Sequence, residues 1–149
     1  MTIPQNESVW KMLQKELKAI QLEDRIVSHG RCSQMQLADI YRHCQLSFLP
    51  TLLEVFSATT LESMFFQLPT VATDFDFNRE VMGNSCLYYE PMNAKMAAEQ
   101  IRRYVTDDAL RESAKVKMEH QLVAFSDYEN HFNGICDFLK KVVEKEQAK

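Results

Sequence analysis

The stretch PTLLEVFSATTLES, residues 50–63, is mostly apolar but carries two glutamates, Glu54 and Glu62, with seven residues between them. A carboxylate only accepts hydrogen bonds, and its bonds to hydroxyl groups are charge-assisted. Two carboxylates beside one helix start could therefore bind the hydroxyls of a polar ligand. The alternative is a pair of solvated charges, because the helix dipole stabilises acidic residues there by roughly 0.3–1 kcal/mol without a ligand.

Short apolar runs alternate with helical patterns along the chain, and these elements must position the two glutamates. Four runs are predicted as strands: RIVSHG at 25–30, LSFLP at 46–50, PTVATDF at 69–75 and CLYYE at 86–90. Strands that alternate with helices in short steps are typical of a parallel sheet with right-handed crossovers. The sequence therefore predicts an α/β fold, with a Rossmann-like parallel sheet and flanking helices.

Helix starts can be placed by capping residues and apolar spacing. Trp10, Leu13, Leu17 and Ile20 form the apolar stripe of a first helix. Ser33 with Gln36 has capping-box spacing and opens a second helix to about His43, and Asn93 can cap a later one. The last helix is predicted from Ser126, with Glu129 in capping-box position. It has a buried apolar face that the chain needs for stability: Phe132, Ile135, Cys136, Leu139, Val142 and Val143.

A third helix, from about Ala58 to Phe66, gives the two glutamates a location. The segment from Pro50 follows the carboxyl end of the LSFLP strand, where ligands of open parallel sheets bind. The free N–H groups expected at Ser57, Ala58 and Thr59 favour an anion such as a phosphate. Glu54 and Glu62 would accept hydrogen bonds from hydroxyls on either side of it, so a ligand with diols flanking phosphates suits this site.

Composition excludes several other classes of protein. The 149 residues predict one globular domain, 1–149, and a net charge of −4 without a basic stripe argues against nucleic acid. No apolar run reaches the roughly 20 residues that span a bilayer, so we expect a cytoplasmic protein, with attachment to the inner face of a membrane as the alternative. The four scattered cysteines predict free thiols. A zinc site from His29, Cys32, His43 and Cys44 is the alternative, although their spacing is unusual for structural zinc.

A series of residues resembles the carboxyl-terminal, nucleotide-sugar-binding domain of retaining GT-B glycosyltransferases, in glycosyltransferase family 4 or group 1. That family has a proline, two glutamates separated by seven residues, a P-V-V-A-x-D strand and an N-R-E-V loop. The resemblance covers roughly Leu22 to Val143. The matching residues are Pro50, Glu54, Phe56, Leu61, Glu62, Met64, Pro69, Val71, Ala72, Asp74, Asn78, Arg79, Glu80, Val81, Gly83 and Pro91.

The resemblance implies a role for each candidate site residue. Glu62 would bind the ribose hydroxyls of the nucleotide, and Glu54, the candidate catalytic residue, would face the transferred sugar. Gly30 and Arg31 match the loop that lies against the base. The remaining donor-binding positions, which would reach the sugar and phosphates, are Val55, Phe56, Ser57 and Ala58. No metal and no cofactor are expected, since the nucleotide diphosphate sugar is the donor substrate. The acceptor, which could be a sugar, a lipid or a polysaccharide, would be bound largely by an amino-terminal domain.

The sequence departs from the family pattern at several positions, and these departures keep a second function open. Val55 and Ser57 stand where the family usually has glycines, and Gln67 stands where a glycine usually precedes the next strand. Larger residues at 55 and 57 could narrow the donor pocket. The alternative to an enzyme is therefore a non-catalytic module that binds a nucleotide sugar or a partner, and a third possibility is a structural fragment without a ligand.

Two further expectations concern the segment after the third strand run. Asp74 and Asp76 form a D-x-D tripeptide. By resemblance Asp74 is the Asp that ends the family's strand, and binding of a divalent cation by the two carboxylates is the alternative. Asn78, Arg79 and Glu80 are expected to bind one another and order a loop, with Arg79 as a phosphate contact the alternative.

By resemblance, the four strand runs correspond to strands 3, 4, 5 and 6 of a family sheet ordered 3-2-1-4-5-6, and strands 1 and 2 have no counterpart in this sequence. The LSFLP strand would then have an unpaired edge. Either RIVSHG pairs beside it in a four-stranded sheet, or another copy of the chain covers the edge. We expect association, which light scattering at several concentrations would detect.

Overall fold

The structure, a computed structural model, describes residues 8–126 and 128–147. The chain divides into two compact units, Met1–His43 and Cys44–Lys149. The described part of the first unit is helical, and the second unit contains a parallel sheet and five helices within the described ranges. An α/β fold with flanking helices is confirmed.

The first unit contains two α-helices, α1 (Ser8–Ala19) and α2 (Gln34–His43), with a short 3₁₀ helix at Glu23–Arg25 between them. Trp10 and Leu17, from the predicted stripe of α1, are buried. The capping box of α2 is confirmed in both directions. The Ser33 N–H donates to Gln36 Oε1 at 2.9 Å, and the Gln36 N–H donates to Ser33 Oγ at 3.3 Å.

The prediction of a strand at RIVSHG is wrong. Residues 26–30 have no regular secondary structure, and Gly30 has a φ of +67°. Val27 is exposed, so the β-branched pair Ile26–Val27 does not form the core of a sheet. A strand is stable only when its backbone pairs with a neighbour. No strand lies beside residues 25–30 within the described ranges. These residues therefore form no strand, and the sheet does not have four strands.

The second unit is built on three parallel strands in the order β1-β2-β3. Their bounds are β1 Ser47–Leu49, β2 Thr70–Thr73 and β3 Cys86–Tyr89. Phe48 pairs with Val71, which pairs in turn with Leu87. The other three predicted strands are therefore confirmed, and so is their predicted neighbour order. β1 lies at an edge of the sheet, and association of a second copy through this edge stays a prediction.

Four of the five helices described in the second unit contribute to two cores, one on each face of the sheet. The bounds of these five helices are α3 Ala58–Phe65, α4 Asp76–Met82, α5 Ala94–Thr106, α6 Asp108–Ser126 and α7 Tyr128–Gln147. One core packs the sheet against α3, α4 and α6: Leu49, Met64, Ala72, Val81, Met82, Cys86 and Met118. The other packs it against α5 and α6: Val71, Tyr89, Ala97, Tyr104 and Ala114. The predicted cap of α5 is confirmed, because the Met96 N–H donates to Asn93 Oδ1 at 3.0 Å.

Helix α4 occupies a segment that the sequence predicts as a loop. It spans seven residues and ends at Gly83, whose φ of +54° is in the left-handed region. The expected mutual binding of Asn78, Arg79 and Glu80 is also wrong. In a helix, consecutive side chains point in different directions, and here Asn78 bonds to Thr73 while Arg79 bonds to Asp74.

The end of α3 requires a left-handed residue at position 67, where the resemblance predicts a glycine. Gln67 has a φ of +52°, and its N–H donates to the Met64 carbonyl at 2.9 Å. The next N–H, of Leu68, donates to the Ser63 carbonyl at 2.9 Å. These two bonds form a Schellman motif, which needs a left-handed residue at this position. A side chain there costs energy that glycine would not.

The apolar face of α7 is not buried as predicted. Phe132, Ile135 and Leu139 are each more than half exposed, and Cys136 is partly buried. The side chains of Ser126, Glu129, Val142 and Val143 lie outside the description. The helix itself starts at Tyr128, and Ser126 ends α6. Apolar spacing identifies which side of a helix is apolar, but whether that side is covered depends on the rest of the fold.

We expect Gln67→Gly to stabilise the protein by about 0.5–1 kcal/mol, the relief of left-handed strain less the greater flexibility of glycine in the unfolded chain. Gln67→Ala is the matched control, because it also removes the side chain but keeps a Cβ at the positive φ. Thermal unfolding of the three proteins measures the effect. Equal melting temperatures for the two variants would contradict this explanation.

The last two helices should differ in their contribution to stability. Met118, in α6, is fully buried in the core, so Met118→Ala should lower the free energy of unfolding by about 2–5 kcal/mol. Leu139, in α7, is 55% exposed, so Leu139→Ala should change it by only about 0.5 kcal/mol. Urea unfolding of both variants tests this, and comparable losses would mean that the face of α7 is buried in solution.

Candidate functional site

Glu54 lies on an exposed loop between β1 and α3, which we call the Glu54 loop (residues 50–57). Glu54 itself is exposed, and so are its neighbours Leu53 and Val55, at 90% and 94%. Phe56 is also exposed, and Ser57 is half-buried. The loop therefore extends apolar side chains and one carboxylate into solvent at the carboxyl end of β1, as the sequence predicts for a ligand site.

Helix α3 starts at Ala58, as predicted, and Ser57 is its N-cap residue. Ser57 has extended backbone angles, but its side chain makes no capping hydrogen bond. The Thr60 N–H and hydroxyl both donate to the Ser57 carbonyl, at 3.1 and 2.5 Å. Glu62 is the fifth residue of the helix and is half-buried. The helix start thus lacks a side-chain cap, which leaves the N–H groups of Ala58 and Thr59 available to an acceptor.

The other end of the Glu54 loop is held by a buried hydrogen-bond chain that the sequence did not reveal. Thr73, the last residue of β2, donates its hydroxyl to the Thr51 carbonyl at 2.6 Å. Asn78, in α4, donates its side-chain amide to the Thr73 carbonyl at 2.9 Å and to the Thr73 hydroxyl at 3.1 Å. Asn78 belongs to the N-R-E-V pattern, but only the fold brings it to the end of β2.

Asp74 and Arg79 form an ion pair directly after β2. The guanidinium of Arg79 binds both carboxylate oxygens, with Nη2 at 2.7 Å from Oδ2 and Nε on Oδ1. Arg79 also lies over the Tyr88 ring, 4.4 Å from its centroid, and the Tyr88 hydroxyl donates to the Gly83 carbonyl at 2.8 Å. Hydrogen bonding to Arg79 lowers the pKa of the Asp74 carboxyl, and desolvation raises the pKa of Tyr88.

This ion pair argues against a cation at the D-x-D tripeptide, because Asp74 already uses both oxygens. Across the described ranges, no group of three or more His, Cys, Asp or Glu side chains could hold a metal ion, and this includes His29, Cys32, His43 and Cys44. All four cysteines are free thiols, as predicted. Cys86 is buried in the core, and desolvation raises the pKa of its thiol to about 12.

Gly30 and Arg31 belong to the first unit, whereas the other candidate site residues belong to the second. Gly30 is half-buried and has a φ of +67°, and its N–H donates to the Ser28 hydroxyl at 3.3 Å. Arg31 is exposed. The turn at Gly30 needs the left-handed conformation that glycine adopts easily. Their expected contact with a base stays a prediction.

The charge around the site is acidic. Between His43 and Arg79 the sequence has no lysine, arginine or histidine, but it has four carboxylates, Glu54, Glu62, Asp74 and Asp76. An anion at the start of α3 would therefore meet backbone N–H groups but no cationic side chain from this segment, and charge neutralisation would require residues from elsewhere.

The chain matches known proteins in sequence and in fold. Residues 6–121 match the sequence model of the family described as Glycosyl transferases group 1. Mannosylfructose-phosphate synthase of Agrobacterium fabrum is 30% identical over 91 residues, which cover 60% of this chain and 20% of that protein.

Two solved structures share the fold at 18% identity each. Sucrose-phosphate synthase from Thermosynechococcus elongatus matches with a TM-score of 0.80, over 97% of this chain and 37% of that one. A glycosyltransferase from Rickettsia africae matches with a TM-score of 0.67, over 81% and 34%. The chain thus spans between a fifth and about a third of these relatives. In the part of the chain that the structure describes, no helix is long and apolar enough to cross a membrane.

The ion pair predicts a pH dependence. The pKa of Asp74 is lower in the folded protein than its unfolded value of about 3.9, so the stability it provides is present above that pH and is lost as the pH falls through the folded pKa. Asp74→Asn and Arg79→Gln should each reduce the proton uptake on unfolding below pH 4, by less than about one proton. Urea unfolding at pH 2.5–5 measures the slope, and an unchanged slope in both variants would contradict the role of the pair.

Proposed function

Because the chain belongs to the Glycosyl transferases group 1 family, we propose that it is the donor-binding part of a retaining glycosyltransferase. Its donor is a sugar linked to a nucleoside diphosphate, and the nucleotide sugar is a substrate and not a cofactor. The acceptor is a sugar, a lipid or a polysaccharide, bound largely by residues outside this chain. The observation that supports this proposal most directly is the start of α3, which lacks a side-chain cap and lies in the sequence between Glu54 and Glu62.

The arrangement suits the parts of such a donor. The backbone N–H groups at the start of α3 can bind a phosphate oxygen. In this proposal Glu62, half-buried in α3, accepts hydrogen bonds from the ribose hydroxyls, and Glu54 accepts them from the hydroxyls of the transferred sugar. Val55, Phe56, Ser57 and Ala58 contribute the backbone between them. Since both carboxylates only accept hydrogen bonds, they discriminate in favour of hydroxyl-rich ligands.

The acidic surroundings limit what this chain does alone. The diphosphate carries negative charge, and residues 44–78 supply four carboxylates and no cation. We therefore expect weak donor binding by the isolated chain, and turnover only when further residues supply cationic groups and the acceptor site.

A non-catalytic binding module is the second candidate, and the exposed Glu54 loop favours it. Val55 stands where the family usually has a glycine and is 94% exposed, beside Leu53 at 90%. Exposed apolar side chains of this size commonly mark a surface that contacts a partner. Titration with UDP-, GDP- and ADP-sugars separates the candidates: saturable binding followed by turnover supports the enzyme, and binding without turnover in the presence of acceptors supports the module.

The two glutamates should act on different parts of the ligand. Glu62→Gln keeps the size of the side chain but removes its charge, so it should weaken nucleotide binding by about 1.5–3 kcal/mol. Glu54→Gln should weaken binding of the nucleotide sugar but leave the plain nucleoside diphosphate nearly unchanged. Isothermal titration with the sugar-linked and plain nucleotides measures both effects.

Glu80→Gln is the matched control, because it removes an exposed carboxylate of the same type from α4. It should leave both affinities close to those of the natural protein. If Glu54→Gln and Glu62→Gln weaken the two ligands equally, the assignment of roles to the two glutamates is wrong.

A further inference from the structure

The Glu54 loop is exposed along its length but is fixed at both ends by buried threonine hydroxyls. At one end Thr60, 1% exposed, donates to the Ser57 carbonyl at 2.5 Å. At the other end Thr73, fully buried, donates to the Thr51 carbonyl at 2.6 Å. Between these two points residues 52–56 are all exposed, so the two anchors set the position of the loop backbone.

The anchor at Thr73 is part of a series of hydrogen bonds in which the Thr73 hydroxyl is both a donor and an acceptor. The hydroxyl donates to Thr51 and accepts from the side-chain amide of Asn78 at 3.1 Å, while the same amide also donates to the Thr73 carbonyl at 2.9 Å. Asn78 is 1% exposed, and buried polar groups of this kind are costly to leave without partners. These hydrogen bonds therefore connect α4 to the carboxyl end of β2, and β2 to the Glu54 loop at a point three residues before Glu54.

We propose that Thr73 and Asn78 are positioning residues that hold the Glu54 loop in place for ligand binding. This inference rests on the proposed function for its ligand, but the anchoring itself is a property of the protein without ligand. Thr73 acts through Thr51 and does not itself contact the ligand. Its loss should free the loop and so weaken contacts to the part of the ligand that Glu54 binds, while contacts made by Glu62 in α3 remain.

Strand β2 offers a matched control. Thr70, at the opposite end of the strand, is also fully buried and donates its hydroxyl to the Leu68 carbonyl at 2.8 Å. Thr70→Val and Thr73→Val each remove a buried hydroxyl that donates to a backbone carbonyl, but only the Thr73 hydroxyl reaches the Glu54 loop, and it also accepts from Asn78. Thr73→Ser retains the hydroxyl and should restore the natural behaviour.

Nuclear magnetic resonance relaxation of the backbone nitrogens, on the full chain without ligand, is the first test, because it reports the motion of a loop whose amides are exposed. Thr73→Val should lower the order parameters of residues 52–57 by about 0.2 relative to Thr70→Val. Thr73→Ser should give the order parameters of the natural protein. If the two valine variants have the same order parameters at residues 52–57, or if serine does not rescue, the anchor does not position the loop and the inference fails.

Titration with UDP-glucose, GDP-mannose and ADP-glucose, and with the corresponding nucleoside diphosphates, is the second test. Thr73→Val should lower affinity for the nucleotide sugar about five- to tenfold and affinity for the nucleoside diphosphate less than about twofold. Equal losses for both would overturn the positioning of Glu54. If the natural protein binds none of these ligands, the proposed function fails for these donors, while the relaxation result still decides whether Thr73 anchors the loop.

Discussion

Strand β2 is buried on both faces and paired on both edges, and the second unit depends on this double burial. All four of its residues are buried, with Val71 in the core beneath α5 and Ala72 in the core beneath α3, α4 and α6. A parallel strand in this position needs cover from helices on both sides. Two helices, α3 and α4, flank β2 in the chain, and both pack against the same core.

The burial of β2 includes polar groups, and their hydrogen bonds connect the core to the surface. Thr70 and Thr73 are both fully buried, and each donates to a backbone carbonyl outside the strand. Within the described side chains, no fully buried nitrogen or oxygen lacks a hydrogen-bond partner. Because an unpaired buried hydroxyl is costly, the position of Thr73 restricts where Thr51 can lie. A loop that is exposed along its length is in this way tied to the most buried strand.

The site combines a favourable backbone with unfavourable side-chain charge. The start of α3 lacks a side-chain cap and can accept an anion, but four carboxylates and no cation lie in the segment around it. Arg79, the first basic residue after this segment, is held by Asp74 and by the face of Tyr88. In the proposed donor site, hydroxyls would be recognised here and the diphosphate would be neutralised by residues outside this segment.

The sequence by itself determined the elements whose signals are local. The capping box at Ser33, the cap at Asn93, the start of α3 and the three buried strands follow from residues that are close in the chain. The positions of Glu54 and Glu62, on a loop after β1 and inside α3, follow from the same local signals. The order of the three strands was also predictable, by resemblance to the family.

Only the tertiary structure decided which apolar and polar groups find partners. RIVSHG looks like a strand, but the described residues supply no neighbouring strand, and α4 forms where a loop was expected. The apolar face of α7 is exposed because whether a face is covered depends on other elements and not on its own spacing. Thr73 reaches Thr51 across 22 positions of sequence because β1 and β2 pair side by side. This contact joins residues that are distant in the chain, so no local pattern encodes it.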